Sequence, residues 1–294
     1  MFGSRLFARW MVKLPMLALV AGFSGLQMAN APQALAQTAV QTDRQSDRLY
    51  TALDLAGVID IMQQEGIAYA SELETSMFPD RGGAAWQDVL QQIYRVDLMN
   101  AHVQGAFAHL LSDKDIQDAI TFFDSDLGVR IVTLEISARR AMLDSDVDAT
   151  ARETAMIAVM DETPRVEFLR RFIDENDLIE TNVAGAMNSN FAFYQGLIAG
   201  GGFDGDLSED QILNDVWSQE PDIRASTQEW LMAYLLLAYD PLSDEELGQY
   251  LAFTQTPAGK AMNTALMRSF NGLFDQISHA LGQAAAQQMQ AFDL

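Results

Sequence analysis

LSDKDIQDAITFFDSDLG at residues 111–128 returns as LSDEELGQYLAFTQTPAG at residues 242–259, at a constant offset of 131 positions. The leucine, serine and aspartate that open the segment, the central phenylalanine and the final glycine are identical in the two versions. A repeat with so long a period indicates two copies of a whole folding unit. The segment therefore predicts an architecture, and it carries no catalytic chemistry.

Both versions open with the signals that start a helix. Ser112 is followed three residues later by Asp115, and Ser243 by Glu246, which is the spacing of a capping box. In this motif the serine hydroxyl accepts a backbone N–H of the first turn, and the carboxylate returns to the backbone N–H of the serine. A helix is predicted to begin after each serine.

A second helix start follows near the end of each segment. Ser125 and Thr256 have N-cap chemistry, and Pro257 suits the first helical position, where a missing N–H leaves no partner unsatisfied. Gly128 and Gly259 then fall in the first turn of that helix. Glycine inside a helix costs up to about 1 kcal/mol, so we expect it to permit a close backbone approach.

Apolar residues recur every three or four positions through most of the remaining chain, which is typical of amphipathic helices. One of these stripes runs without a break signal over residues 86–110 and predicts a single helix there. We expect an all-α protein made of two tandem helical-bundle repeats, residues 46–160 and residues 161–294, following a cleaved signal peptide.

The N-terminus has the pattern of a targeting segment. Basic residues precede an apolar stretch at 14–22, and Ala34-Leu35-Ala36 supplies a small-x-small cleavage site. Residues 1–36 are therefore predicted to be a Sec-type signal peptide, with residues 37–45 as a flexible mature N-terminus. The alternative, a membrane anchor, requires roughly 20 apolar residues, more than this interrupted run provides. We expect a periplasmic or secreted protein with no stable membrane insertion after cleavage.

The charge balance excludes some partners. The chain has 41 acidic and 18 basic residues, a formal charge of −23, which becomes −26 when the leader with its three basic residues is removed. Nucleic acids and anionic lipid surfaces require clustered Lys and Arg, so neither is expected as a partner. Cysteine is absent, which excludes disulfides, thiolate catalysis and lipoprotein anchoring. Basic partners or cations are favoured.

The C-terminal helix, predicted over 261–294, is unusually poor in charge. Beyond Arg268 its only charged side chains are Asp275 and Asp293. A solvent-facing helix in so acidic a chain should carry more charge, so both of its faces are expected to be covered. Either another subunit or the other repeat could cover them. The first alternative predicts a protein partner or a homo-oligomer through this helix.

The same helix carries a stripe of methionine and aromatic residues. Met262, Phe270, Phe274 and Met289 lie at helical spacing. Such a stripe indicates core packing, with a groove for a lipid or a peptide as the alternative.

One acidic loop resembles a calcium site. Oxygen ligands at positions 1, 3, 5 and 12 of a loop are typical of calcium binding, but the sixth position here is Glu209 where such loops have glycine. The alternative is an acidic loop in which Ser208 and Gln211 cap a short helix. The candidate ligands are Asp204, Asp206, Ser208 and Asp215.

The repeated pattern resembles the exported bacterial family catalogued as domain of unknown function 2059. The family form Thr-Pro-x-Gly-Lys is intact at residues 256–260, whereas the first copy has Asp126 and Val129 in place of the proline and the lysine. The resemblance implies an all-helical, secreted or periplasmic protein. It implies no activity, cofactor or catalytic residue. The positions that carry it are Leu111, Ser112, Asp115, Ile116, Phe122, Ser125, Gly128, Leu242, Ser243, Glu246, Leu247, Phe253, Thr256, Pro257, Gly259 and Lys260.

Motifs for catalysis are missing from the sequence. It contains no Gly-x-Ser-x-Gly elbow, no phosphate loop and only three histidines, none at metal-ligand spacing. We therefore expect an exported, non-enzymatic helical module that binds a ligand or a protein. The alternatives are a hydrolase that uses carboxylates or a divalent cation, and a carrier of an apolar ligand. No cofactor is expected, and calcium is the possible exception.

Overall fold

The computed structural model describes residues 45–79, 82–202 and 208–290. The predicted signal peptide, nearly all of the predicted flexible N-terminus, and Asp204 and Asp206 lie outside these ranges.

Every regular element in the described ranges is a helix, which confirms the all-α prediction. Residues 45–52 are helical, and twelve helices with defined bounds follow. The first six are α1 (Leu55–Met77), α2 (Gly83–Ile93), α3 (Val96–Leu110), α4 (Asp113–Phe123), α5 (Asp126–Ala141) and α6 (Ser145–Met160). The next six are α7 (Pro164–Glu175), α8 (Leu178–Ala199), α9 (Glu209–Ser218), α10 (Glu220–Tyr239), α11 (Asp244–Thr254) and α12 (Pro257–Gln290). None of these described helices is both long and apolar enough to cross a bilayer.

The single helix predicted over residues 86–110 is wrong, because the chain breaks between α2 and α3. Tyr94 leaves the helical region with φ −96° and ψ 36°, and Arg95 is extended. The buried Tyr94 turns its carbonyl toward α1, where it accepts a hydrogen bond of 3.0 Å from Gln63 Nε2. This tertiary contact compensates for the lost helical hydrogen bond. The residues around Tyr94 contain no signal from which the contact could be predicted.

An aspartate in the left-handed region marks a similar point in each half. Asp54 (φ 45°) joins residues 45–52 to α1, and Asp177 (φ 49°) joins α7 to α8. Aspartate is one of the few non-glycine residues that tolerates this conformation. The order of elements is the same in both halves. A short helix is followed by the aspartate and a long helix, then by two further helices, and finally by the two helices of the repeated segment.

α8 and α12 run parallel and approach closely through glycines. A Cβ atom on Gly196 would lie 2.0 Å from the carbonyl oxygen of His279, and one on Gly282 would lie 2.1 Å from that of Phe193. Toward the start of α8, a Cβ on Gly185 would meet Asn271 of α12. The two backbones can pack at this distance only because these positions lack a side chain.

The charge-poor α12 is covered by helices of its own chain. α8 packs along one side, while α2, α3 and α4 of the first half contact the other. Met262, Phe270 and Phe274 are buried in the core, as the packing interpretation predicted, and Met289 is half-buried against it. Cover by helices of the same chain, from its own half as well as from the other half, accounts for the missing charge.

At the centre of the molecule, each half packs one of its helices against a helix of the other half. α12 of the second half packs on α3 of the first, and α5 of the first half packs on α10 of the second. Apolar side chains from both halves consequently belong to one continuous core.

Candidate functional site

Ser112 and Ser243 cap α4 and α11 as predicted, but only one of the two capping boxes is complete. Ser243 Oγ accepts from the Glu246 backbone N–H at 3.2 Å, and the Ser243 N–H donates to Glu246 Oε2 at 2.8 Å. Ser112 Oγ accepts from the Asp115 N–H at 3.2 Å, but the shorter Asp115 carboxylate bonds to the Ser112 hydroxyl instead, at 2.5 Å. The prediction of a reciprocal box at Ser112 is therefore wrong, because aspartate is one methylene too short to return to the backbone.

The second pair of predicted caps forms in both segments. The N–H of Gly128 donates to Ser125 Oγ at 3.1 Å, and the N–H of Gly259 donates to Thr256 Oγ1 at 3.0 Å. A Cβ on Gly128 would lie 2.2 Å from the last carbonyls of α4, and one on Gly259 would lie 2.3 Å from those of α11. Both glycines permit a close backbone approach, as expected.

Other signature residues also have a structural role, at a helix start or in a contact between helices. Pro257 is the first residue of α12, where its ring suits the helix start. Phe122 and Phe253 lie against each other where the two halves meet. The repeated segment therefore builds helix starts and helix contacts.

The calcium-loop prediction is only partly within the described residues. Ser208 is the N-cap of α9 and forms a complete capping box with Gln211, as the alternative interpretation predicted. Asp215 lies two turns further along α9 and accepts a hydrogen bond from the Tyr194 hydroxyl. The described part of the chain contains no group of three or more His, Asp or Glu side chains able to hold a metal. Asp204 and Asp206 lie outside it, so calcium binding stays a prediction.

A buried carboxyl group was not identified from the sequence. Glu135 of α5 is 2% exposed, and its Oε1 accepts hydrogen bonds from Tyr239 at 2.5 Å and Tyr250 at 3.2 Å. Tyr234 donates to the Glu135 backbone carbonyl at 3.1 Å, while Oε2 has no hydrogen-bond partner in the described ranges. Burial raises the pKa of Glu135 to about 7, although the two tyrosine hydrogen bonds act in the opposite direction.

A buried ion pair lies one turn further along α5. Arg139 Nη2 is 2.9 Å from Glu65 Oε2 of α1, and the two side chains are 5% and 10% exposed. The sequence did contain a signal for both groups. Glu135 and Arg139 fall on the same buried stripe of α5 as Ile131 and Ile136, where charged residues are rare unless they are paired. The two polar groups tie α5 to α1, α10 and α11, and no ligand can reach them without opening the core.

An open groove lies between α6 and α7 and has α10 as its floor. Its volume is about 850 Å³, within the usual range for ligand sites. We call it the α6–α7 groove. Its apolar lining is Ala155, Met156, Val159, Ile173, Ile179, Ala225 and Met232.

Charged side chains surround this apolar lining. Arg152 is already paired, with Asp148 at 2.9 Å and with Glu229 at 3.0 Å. Three further charged groups are exposed and form no ion pair within the described ranges: Glu153 on α6, and Arg170 and Asp174 on α7. The α6–α7 groove thus combines an apolar centre with a charged rim, two of whose free groups are carboxylates.

The apolar surface continues from the groove onto the outer side of α6. Met156 is 59% exposed, Ile157 51% and Met160 75%. Large apolar side chains so exposed and so close together on one helix are typical of an interaction surface.

Comparison with known protein families matches residues 97–156 to the family model described as "Uncharacterized protein conserved in bacteria (DUF2059)". The matched range includes the first repeated segment and reaches from α3 into α6, so it supports the predicted resemblance. The second segment, at 242–259, lies outside the match. Comparison with the curated proteins and with the solved structures gives no match.

Proposed function

We propose that this protein is an exported, non-enzymatic binding module that holds an apolar segment of another molecule in the α6–α7 groove. The observation that carries the proposal is the continuous apolar surface formed by the groove lining and the exposed Met156 and Met160. Exposing these side chains to water is unfavourable by roughly 25 cal/mol per Å² of apolar area, which a bound partner recovers.

The positions of the polar groups favour binding over catalysis. A general acid or base must come within hydrogen-bond reach of a substrate. Glu135, with its raised pKa, is enclosed by tyrosines in the core and does not line the groove. The signature serines and threonine are engaged in helix caps. A hydrolase would need a reactive group at the groove, and the carboxylates there are solvated rim residues.

We further infer that residues 161–294 are a second, diverged copy of the first half. The support is the shared order of helices, the left-handed aspartates Asp54 and Asp177, and the equivalent caps at Ser125 and Thr256. The family model matches residues 97–156 alone, so the case for a second copy rests on these structural equivalences and on the repeated sequence pattern.

Export is inferred from the pattern of residues 1–36. Mass measurement of the protein recovered from the periplasm should give a chain that begins near Gln37. A full-length chain that stays with the membrane fraction would contradict the export proposal.

The binding role of the groove is testable with a neutral apolar fluorophore such as N-phenyl-1-naphthylamine. Purified protein should bind the probe saturably, and Met156→Glu should weaken binding by about tenfold or more, about 1.4 kcal/mol. Trp217→Glu is the matched control, because Trp217 is similarly exposed (64%, against 59% for Met156) but lies on α9 outside the groove lining. Equal binding by both variants, or no saturable binding, contradicts the proposal.

A further inference from the structure

We propose that the occupant of the α6–α7 groove is an amphipathic helix of a protein partner, with basic residues along the edges of its apolar face. The inference rests on the binding function proposed above. It adds the kind of partner, which the shape, the apolar pattern and the charge of the groove together select.

The shape of the groove suits a helix. Its walls are two successive helices that diverge from the turn at 161–163, where Glu162 adopts φ 48° and Thr163 caps α7. α10 closes the bottom between them, since it packs against both α6 and α7. A helix about 11 Å across occupies roughly 140 Å³ per residue, so 850 Å³ accommodates about six residues, nearly two turns. A guest helix would complete a layer of three helices over α10.

The apolar surface favours a macromolecule over a small apolar ligand. At 100° per residue, Val159, Met156, Met160 and Ile157 follow one another around α6 from the groove wall to the outer side. A small molecule in the groove contacts the first two and leaves Met160 and Ile157 in water, at 75% and 51% exposure. A partner helix with its own neighbouring structure covers all four. Exposed methionines are also characteristic of surfaces that receive helices, because their unbranched side chains adapt to the guest.

The charge of the rim favours a basic partner. Each wall carries a free carboxylate, Glu153 on α6 and Asp174 on α7, whereas Arg152 is neutralised by two carboxylates. Only Arg170 opposes them among the lining residues. The chain as a whole has a formal charge of −23, so it attracts cationic partners at long range and repels a second copy of itself. Lys and Arg beside the apolar face of a guest helix would meet Glu153 and Asp174.

Two synthetic peptides test the proposal. Both have about 14 residues and the same leucine face, and the other face is lysine in one and glutamate in the other. Fluorescence anisotropy at near-physiological salt should show saturable binding of the leucine–lysine peptide, and binding of the leucine–glutamate peptide at least about tenfold weaker. Met156→Glu should weaken the lysine peptide by about tenfold or more, while Trp217→Glu should leave its affinity unchanged.

A charge reversal distinguishes the effect of the groove carboxylates on peptide binding from the effect of the overall negative charge. The double variant Glu153→Lys/Asp174→Lys should bind the lysine peptide more weakly and the glutamate peptide more tightly than the parent protein does. The control Glu72→Lys/Asp88→Lys changes the net charge equally at exposed positions of α1 and α2, and should alter neither affinity by more than about twofold.

The possible failures are distinct. If both peptides bind equally and depend on Met156, the basic partner is wrong and the groove function stands. If the apolar fluorophore binds at Met156 but neither peptide does, the helical partner is wrong and the groove function again stands. If the control charge variant matches the groove variant, binding is non-specific and the partner assignment fails. If neither the fluorophore nor a peptide depends on Met156, the proposed function fails as well.

Discussion

The rings of Phe122 and Phe253 stack face to face, with centroids 4.0 Å apart and planes 7° from parallel. They occupy the same position of the repeated segment, 131 residues apart. Contact between a residue and its own equivalent is expected where an approximate two-fold axis relates two copies of a unit, so the stack supports the proposed duplication. The packing of α12 on α3 and of α5 on α10 is reciprocal in the same way. The segment that stands out in the sequence is therefore also one of the places where the two halves contact each other.

The stack should contribute a measurable coupling between the halves. Phe122→Leu and Phe253→Leu each keep an apolar side chain of similar size but remove the ring. We expect the double variant to be less destabilised than the sum of the single variants by about 1 kcal/mol, because an aromatic pair is worth about that beyond its buried area. Chemical denaturation of the four proteins measures this difference, and strict additivity would show that the stacked rings do not interact.

The two signature glycines should be intolerant of a single methyl group. Gly128→Ala and Gly259→Ala place a Cβ 2.2 and 2.3 Å from backbone oxygens of the preceding helix, so the helix pair must shift. We expect each to lower the free energy of unfolding by about 1–3 kcal/mol. Gly105→Ala and Gly248→Ala are matched controls, because their Cβ atoms enter open space. The controls should gain up to about 1 kcal/mol from helix propensity, and a similar gain at Gly128 would contradict the close approach.

Local features of this fold could be predicted from the sequence, and long-range ones could not. The caps at Ser243 and Thr256 and the long α12 depend on residues within one or two turns, and these predictions are confirmed. At the break, the Tyr94 carbonyl accepts its hydrogen bond from Gln63, which is 31 residues away, so the contact that accommodates the break has no local sequence signal. The α6–α7 groove arises from the divergence of two helices, which periodicity does not encode.

The charged residues of α5 carry a sequence signal for burial. Glu135 and Arg139 interrupt an apolar stripe at its own spacing, which marks them as inward-facing. Their partners Tyr239 and Glu65 lie 104 and 74 residues away, so the sequence could nominate the pair of positions but not the contacts.

The buried pair of Arg139 and Glu65 should be costly to break from one side. Glu65→Gln leaves a guanidinium without its counter-charge in the core, and we expect a loss of about 3–5 kcal/mol of unfolding free energy. Replacing both partners, as Glu65→Leu with Arg139→Met, removes the desolvation cost and should restore most of that loss. The exposed pair of Lys114 and Asp118 is the control, because Asp118→Asn should leave stability nearly unchanged. A double variant no more stable than Glu65→Gln would contradict this account.

Glu135 should make the stability of the protein fall as the pH rises toward neutrality. Its pKa is raised from an ordinary value of 4.5 to about 7 in the folded state, chiefly by burial. The folded protein therefore binds more protons than the unfolded chain between these values, and the unfolding free energy contributed by this group declines across that interval. The stabilisation is complete below about pH 4.5 and is lost once the pH passes 7. The full decline corresponds to about 3 kcal/mol.

Glu135→Gln isolates this effect from the other carboxylates, because glutamine keeps the shape of the neutral side chain without titrating. The difference in unfolding free energy between variant and parent should increase in favour of the variant from pH 5 to pH 8. Glu246→Gln is a control of opposite sign. The pKa of Glu246 is lowered, first by its hydrogen bonds to Ser243 and then by Arg130, so its carboxylate stabilises the folded state at neutral pH and its replacement should be unfavourable there. Denaturant titrations at several pH values measure both differences. A Glu135→Gln difference that stays constant from pH 5 to pH 8 would show that this carboxyl group does not titrate in the folded protein over that range.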